Sequence, residues 1–207
     1  MHTAYRPLPR WVPRGRRAAR ALFAVITVLH AAAALYLSLL HQSGPGAALS
    51  FLAAEAAAGR VGAGGILLLT PCHETPGYSH LHARVPMRLL ECSPRSDGRA
   101  TQRDAFFAAP AAGLPALLDA YDAITDAAGV AWADRVGDVP LPEGAPSHLV
   151  LFDDIEPPLR PLLAARGYAL RLSAFHAHFA VDRDQKRLLV YARGNGLGGG
   201  SSSDQAP

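Results

Sequence analysis

Cysteine is scarce in this chain, with two in 207 residues, far too few for a disulfide scaffold. Charge is sparse as well, at 18% of residues, while half the residues are hydrophobic. A disordered acidic or basic tail lacks such apolar content. No acidic residue precedes Glu55, whereas Arg6, Arg10, Arg14, Arg16, Arg17 and Arg20 crowd the start, so the net charge of +3 is uneven. The rest of the sequence holds 14 of the 20 basic residues against all 17 acids. A basic head on a mildly acidic body excludes the usual nucleic-acid binder, whose positive charge sits on the folded domain. Also missing are Gly-x-Gly-x-x-Gly, the P-loop, Gly-x-Ser-x-Gly and His-Glu-x-x-His, and with them the sites those signatures build. There is no internal repeat.

What is present begins with an uncharged run, Ala21 to Leu40 (ALFAVITVLHAAAALYLSLL), of the roughly 20 residues a helix needs to cross a bilayer. Three readings compete. A cleaved signal peptide has an apolar region of about 7–15 residues and a small-x-small cleavage site; this run is longer, and His41-Gln42-Ser43-Gly44 is a poor site. A buried helix of a soluble domain would show a polar stripe, and none is visible. A transmembrane helix over residues 21–41 fits best. Thr27 and Ser38 can return their hydroxyls to the helix's own carbonyls, and His30 can sit there neutral. Arginines ahead of the span place the N-terminus, residues 1–20, in the cytosol. The arginines from Trp11 to Arg20 could also touch anionic lipid heads. Gly44 and Pro45 are expected to end the helix.

The body, residues 42–193, reads as a small α/β domain: a mixed sheet of about five strands covered by helices. Strands are expected at Ile66–Leu69, Met87–Cys92, His148–Phe152, within Tyr168–Phe179, and at Leu188–Tyr191. Helices are expected over Ala47–Arg60, over Leu114–Ala128 with leucines at helical spacing, and from Pro157 to a cap at Gly167. Pro71–Pro86, Pro94–Arg103 and Gly137–Pro146 read as loops, and Asp182–Lys186 as a hairpin turn. The last 14 residues, 194–207 (GNGLGGGSSSDQAP), have the composition of a disordered tail.

The stretch with most chemistry is Pro71–Pro86 (PCHETPGYSHLHARVP), placed just past a strand end, where α/β sheets build ligand sites. Four readings stay open. Cys72, His73, His80 and His82 carry zinc-ligating atoms, to which His176 and His178 could add, but adjacent Cys-His is not the usual spacing. Cys72 could be a thiol nucleophile beside a histidine base. Cys72 and Cys92 could form a disulfide that staples the loop, worth about 3 kcal/mol in the chain-entropy model. The prolines at 71, 76 and 86 and Tyr78 could serve structure alone. Asp153 and Asp154 follow a strand and read as helix N-terminal charge rather than an acid/base pair; Asp182 and Asp184 read as turn residues.

This loop resembles that of the GPI-anchor mannosyltransferases that add the third mannose, in glycosyltransferase family 22. Their Pro-Cys-His-Ser-Thr-Pro loop is met by Pro71-Cys72-His73-Glu74-Thr75-Pro76, with Glu74 in place of serine. Their Tyr-Ser-His, His, Pro-Met-Arg and Cys are met by Tyr78-Ser79-His80, His82, Pro86-Met87-Arg88 and Cys92. Asp104-Ala105-Phe106-Phe107, Ser147-His148-Leu149-Val150, Phe175-His176-Ala177-His178 and Val190-Tyr191 continue the likeness in order, over residues 35–193. The resemblance implies an endoplasmic-reticulum membrane enzyme whose body is lumenal. It implies transfer of mannose in an α1,2 linkage, with inversion, from dolichyl-phosphate mannose to a GPI precursor, without a metal or other cofactor. Its partners would be the lipid bilayer, the lipid-linked glycan and the multispanning part of the transferase; no nucleic acid is implied. Family catalysis belongs to acidic residues of an early lumenal loop, which has no counterpart ahead of Glu55, so no catalytic residue carries over and the chain corresponds to the family's C-terminal portion. Cys72, His73, Thr75, Tyr78, Ser79, His80, His82 and Arg88 are the substrate-loop candidates. The alternative is a non-catalytic, membrane-anchored lumenal module that binds lipid-linked glycan or a transferase subunit.

Overall fold

The computed structural model describes residues 15–93, 98–119, 144–179 and 183–194. The start of the basic head, most of the 137–146 loop, Asp182 and nearly all of the Gly/Ser tail lie outside them. The chain divides into two units, Met1–His41 and Gln42–Pro207.

In the first unit the uncharged run forms helix α1 (Arg16–Leu39), 24 residues with none buried. At 1.5 Å per residue it extends about 36 Å, against a hydrocarbon layer of roughly 30 Å. Its apolar window has a mean hydropathy of 2.1, and among the described residues this is the one helix long and apolar enough to cross a membrane. Beyond its three arginines, the polar side chains Thr27, His30 and Ser38 turn to the helix's own backbone. Thr27 Oγ1 donates to the Phe23 carbonyl at 2.8 Å, Ser38 Oγ to Ala34 at 2.6 Å, and His30 Nδ1 lies 2.8 Å from the Ile26 carbonyl. A carbonyl only accepts, so the His30 bond requires the Nδ1–H tautomer.

The second unit opens with α2 (Gly44–Ala57). Gly44 and Pro45 therefore start a helix instead of stopping one. Proline lacks an N–H, and the first helical turn offers no partner for one. Five strands follow: β1 (Ile66–Leu69), β2 (Met87–Leu89), β3 (His148–Phe152), β4 (Tyr168–Phe175) and β5 (Arg187–Arg193). Between them lie α3 (Tyr78–Leu81), α4 (Gln102–Ala108), α5 (Pro110–Asp119) and α6 (Glu156–Ala165). The five strands form one sheet in the order β2-β1-β3-β5-β4. β1 runs parallel to β2 and β3, while β5 is antiparallel to β3 and β4, so the sheet is mixed, as expected.

Helices on both faces explain why β1, and β3 after His148, are continuous apolar runs. Alternate side chains point to opposite faces. Leu67, Leu69, Leu149, Leu151, Leu189 and Tyr191 pack with Phe106, Leu114, Leu159 and Leu163 from α4, α5 and α6. Ile66, Leu68, Val150, Phe152, Leu188 and Val190 pack with Leu49 and Leu52 of α2 and with Leu81 and Met87. The tight entry into β1 depends on glycine. A Cβ on Gly64 would strike the Ala145 carbonyl, and one on Gly65, whose φ is +67°, would strike that of Pro86.

Some elements differ from expectation. α4 begins inside the expected Pro94–Arg103 loop, at Gln102, because Thr101 and Asp104 close a reciprocal capping box. β2 stops at Leu89 instead of running to Cys92. The expected Leu114–Ala128 helix is described as α5 as far as Asp119, and the remainder lies outside the described residues.

Candidate functional site

Two parallel strands, β1 and β2, end side by side, and each is followed within three residues by a cysteine. Cys72 and Cys92 are joined as a disulfide, with Cα atoms 6.5 Å apart and a sequence separation of 20, a separation the bond requires. Of the four readings of the loop, the disulfide is realised, together with the structural use of Tyr78. Cys72 therefore offers no thiolate, as nucleophile or as ligand. Among the described residues, no group of three or more His, Cys, Asp and Glu side chains is placed to hold a metal ion.

Several loop candidates serve the loop itself. Thr75 is buried, its Oγ1 3.0 Å from that of Thr70. Tyr78 OH donates to the Val85 carbonyl at 3.0 Å, and burial raises its pKa. Ser79 Oγ donates to the Pro76 carbonyl at 2.8 Å and lies 3.1 Å from His80 Nδ1. Arg88 is buried on β2 opposite Leu67. His82 is exposed and ends α3 with φ +48°.

His73 and His80 go elsewhere. With Glu74 they line a cleft of about 530 Å³, whose opposite wall carries His176, Phe179, Arg183 and Gln185. The cleft lies beyond the C-terminal end of β1, where the chain crosses to β2 on one side while β3 lies on the other. α/β sheets bind ligands at such points. His73 sits at φ +72°, a left-handed conformation that costs a non-glycine residue about 1 kcal/mol. His176 hangs from the end of β4, its ring 4.9 Å from that of Phe152. Gly44 gives it room, since a Cβ there would come within 3.1 Å of the imidazole. His178 instead lies against Phe175, with ring centroids 4.5 Å apart.

Arg183 is anchored from two sides. Its Nε donates to Asp154 Oδ2 at 2.7 Å, and its guanidinium lies 4.4 Å from the centroid of the Phe107 ring. Asp154 thus positions this arginine, while Asp153 Oδ1 accepts the N–H groups of Lys186 and Arg187. Both sit just ahead of α6, as expected, but neither side chain caps it, and Glu156 is the acid within its first turn. Glu156 is buried, receives Arg160 at 2.6 Å and the Tyr191 hydroxyl at 2.5 Å, and has its pKa lowered chiefly by Arg160. Tyr191 is pushed up to about 12, first by burial and then by Glu156.

A second buried polar group sits at the other end of the sheet. Ser147 Oγ donates to the Gly65 carbonyl at 2.9 Å, accepts from Gly62 N–H at 3.1 Å, and lies 3.0 Å from His148 Nδ1. His148 Nε2 is 3.8 Å from Glu55 Oε2. The types match a hydrolytic triad, but the Ser147 hydroxyl is buried and spent on backbone groups. Burial lowers the His148 pKa, with Glu55 pulling the other way. Arg60, bonded to Glu55 at 2.7 Å, is the first cause of that carboxylate's lowered pKa.

Phe179, Arg183 and Gln185 were not singled out from sequence. They stand beyond or within the β4–β5 turn, about a hundred positions from His73, and only the sheet brings them across.

Known proteins support the resemblance. The chain is 35% identical over 184 residues to Mannosyltransferase APTG1 of Arabidopsis thaliana, covering 88% of this chain and 29% of that protein. It is 34% identical over 131 residues to GPI alpha-1,2-mannosyltransferase 3 of Danio rerio, covering 62% and 20%. With the Homo sapiens protein of the same name it shares 28% over 166 residues, covering 77% and 26%. No family model and no solved structure matches. The chain spans less than a third of the length of these relatives. Over that span, it belongs to the GPI mannosyltransferase family.

Proposed function

We propose that the chain forms a membrane-held, glycan-facing part of an α1,2-mannosyltransferase of GPI-anchor synthesis. It acts in the lumen of the endoplasmic reticulum, with α1 spanning the bilayer and dolichyl-phosphate mannose as donor. In this transfer an acceptor hydroxyl oxygen bonds to C1 of the mannose. A carboxylate takes the hydroxyl proton, and dolichyl phosphate leaves with the electron pair of the broken C1–O bond. The observation that carries the reading is the disulfide-held loop, which brings His73, Glu74 and His80 to one cleft with His176, combined with the kinship of the chain. Chain connectivity adds support: Gln42, on the cleft wall, follows the last residue of α1 by three positions.

One observation favours a binding role for this part over a catalytic one. Glu74 is the single carboxylate among the described residues lining the cleft, so no pair of acids is poised there. The chain would then hold the lipid-linked glycan, or a transferase subunit, while acids elsewhere do the chemistry.

A chimera tests the proposal. In cells lacking GPI alpha-1,2-mannosyltransferase 3, the human protein is expressed with its matching segment replaced by this chain. Restored surface display of GPI-anchored proteins is the expected result. A chimera that reaches the endoplasmic reticulum, stays in the membrane and restores nothing would overturn it. Rescue by the 207-residue chain alone would overturn the purely binding role.

A further inference from the structure

We infer that the cleft between the loop after β1 and the end of β4 is a hexose subsite. Phe179 would stack on the pyranose, and Gln185 and the neighbouring imidazoles would bind its hydroxyls. Naming the hexose as mannose rests on the transferase reading; the subsite itself does not.

A pyranose presents two chemistries, a face of C–H groups and a rim of hydroxyls that both donate and accept. The cleft offers a match for each. Phe179 is 76% exposed at its edge, an aromatic ring free to cover a C–H face. Gln185 is 7% exposed, and its Nε2 has no hydrogen-bond partner among the described residues. A buried amide donor left this way is costly unless a ligand or water completes it. His73 and His80 are exposed on the facing wall, and a neutral imidazole brings one donor and one acceptor. Glu74 supplies acceptor oxygens. The strained φ of +72° at His73 fits a residue placed for a ligand, since such strain gathers at binding sites. The volume of about 530 Å³ lies within the range of roughly 300–1,000 Å³ for small-molecule sites.

Charge argues for a neutral ligand over a phosphate. Arg183 is the one Arg or Lys lining the cleft among the described residues, and Asp154 already holds it at 2.7 Å. Glu74 adds negative charge. Among the described residues, an anion would meet an arginine already paired with Asp154.

The full chain, purified in detergent micelles, is titrated with methyl α-D-mannopyranoside and α1,2-mannobiose by saturation-transfer NMR, for the parent protein, Phe179→Ala and Gln185→Leu. Saturable binding is expected, weakened at least tenfold in Phe179→Ala and about fivefold in Gln185→Leu by loss of one hydrogen bond. Both variants should melt close to the parent, because Phe179 is exposed and Gln185→Leu replaces a buried amide lacking a partner at Nε2 by an apolar side chain of similar size. No binding by the parent at tens of millimolar, equal binding by all three proteins, or displacement of the sugar by inorganic phosphate would each overturn the subsite. The two readings fail separately. Sugar binding without rescue by the chimera leaves the subsite standing and removes the transferase. Rescue by a chimera carrying Phe179→Ala, with no sugar binding by the parent, removes the subsite alone.

Discussion

Replacing both bridging cysteines, as Cys72→Ala with Cys92→Ala, releases the loop that walls the cleft. The bond closes a segment with a sequence separation of 20. The chain-entropy model assigns a loop of that size about 3 kcal/mol, through the freedom it removes from the unfolded chain. For a domain of this size, 1 kcal/mol moves Tm by about 2–4 °C, so a drop of roughly 6–12 °C is expected. Thermal unfolding followed by near-ultraviolet circular dichroism of the micellar protein gives the value. Hydrogen exchange gives the location, with faster exchange at Glu74 and His80–His82, whose N–H groups are bonded within the loop. Parent and variant melting within a degree of each other, or free thiols in the parent by alkylation and mass spectrometry, would refute the reasoning.

Three further outcomes follow from the buried polar groups and the glycine turn. The folded state lowers the His148 pKa from 6.5, by burial first, with Glu55, Arg60 and Arg171 as the charged groups acting on it. The unfolded chain therefore takes up the proton first, so the His148 contribution is intact above about pH 6.5 and declines as pH falls from there toward the folded-state value, by up to about 1.4 kcal/mol per pH unit. Urea midpoints at pH 7.5 and 5.5 measure this slope, and His148→Gln should flatten it. Glu156→Ala leaves the buried Tyr191 hydroxyl without its acceptor and should cost about 2–3 kcal/mol, read from the urea midpoint; Tyr191→Phe should cost about 1 kcal/mol. Gly65→Ala places a Cβ against the Pro86 carbonyl at φ +67° and should cost about 3 kcal/mol or prevent folding; a variant as stable as the parent would contradict the described entry into β1.

The sheet was legible because its central strands are marked by composition. ILLL is wholly apolar and follows Gly65, and HLVLF is apolar after its leading His148 and follows Pro146-Ser147, as suits short strands covered on both faces. α4 was hidden because its cap uses aspartate at the position where glutamate gives the usual signature, just after a polar, Gly-containing stretch. Gly44-Pro45 was misread because the same dipeptide can stop one helix or start the next, and only packing decides: Gly44 is needed where it is by the His176 ring. The loop motif marked a segment that walls the cleft, yet half its candidates turn out to hold the loop, as Thr75 and Tyr78 do. Of the facing wall of the cleft, only His176 was marked in the sequence. Gln185 looks like a turn residue in sequence, and its burial exists only once β4 and β5 pair at the sheet edge.

The most direct test of the proposed arrangement is sidedness. Arg99→Asn creates an Asn-Ala-Thr glycosylation acceptor over residues 99–101, with residues 99 and 100 exposed ahead of α4. Expressed in cells, the full chain should gain an N-glycan that endoglycosidase removes, and the body should resist protease added to sealed microsomes. An unmodified acceptor together with a body digested from outside would contradict a lumenal domain held by α1.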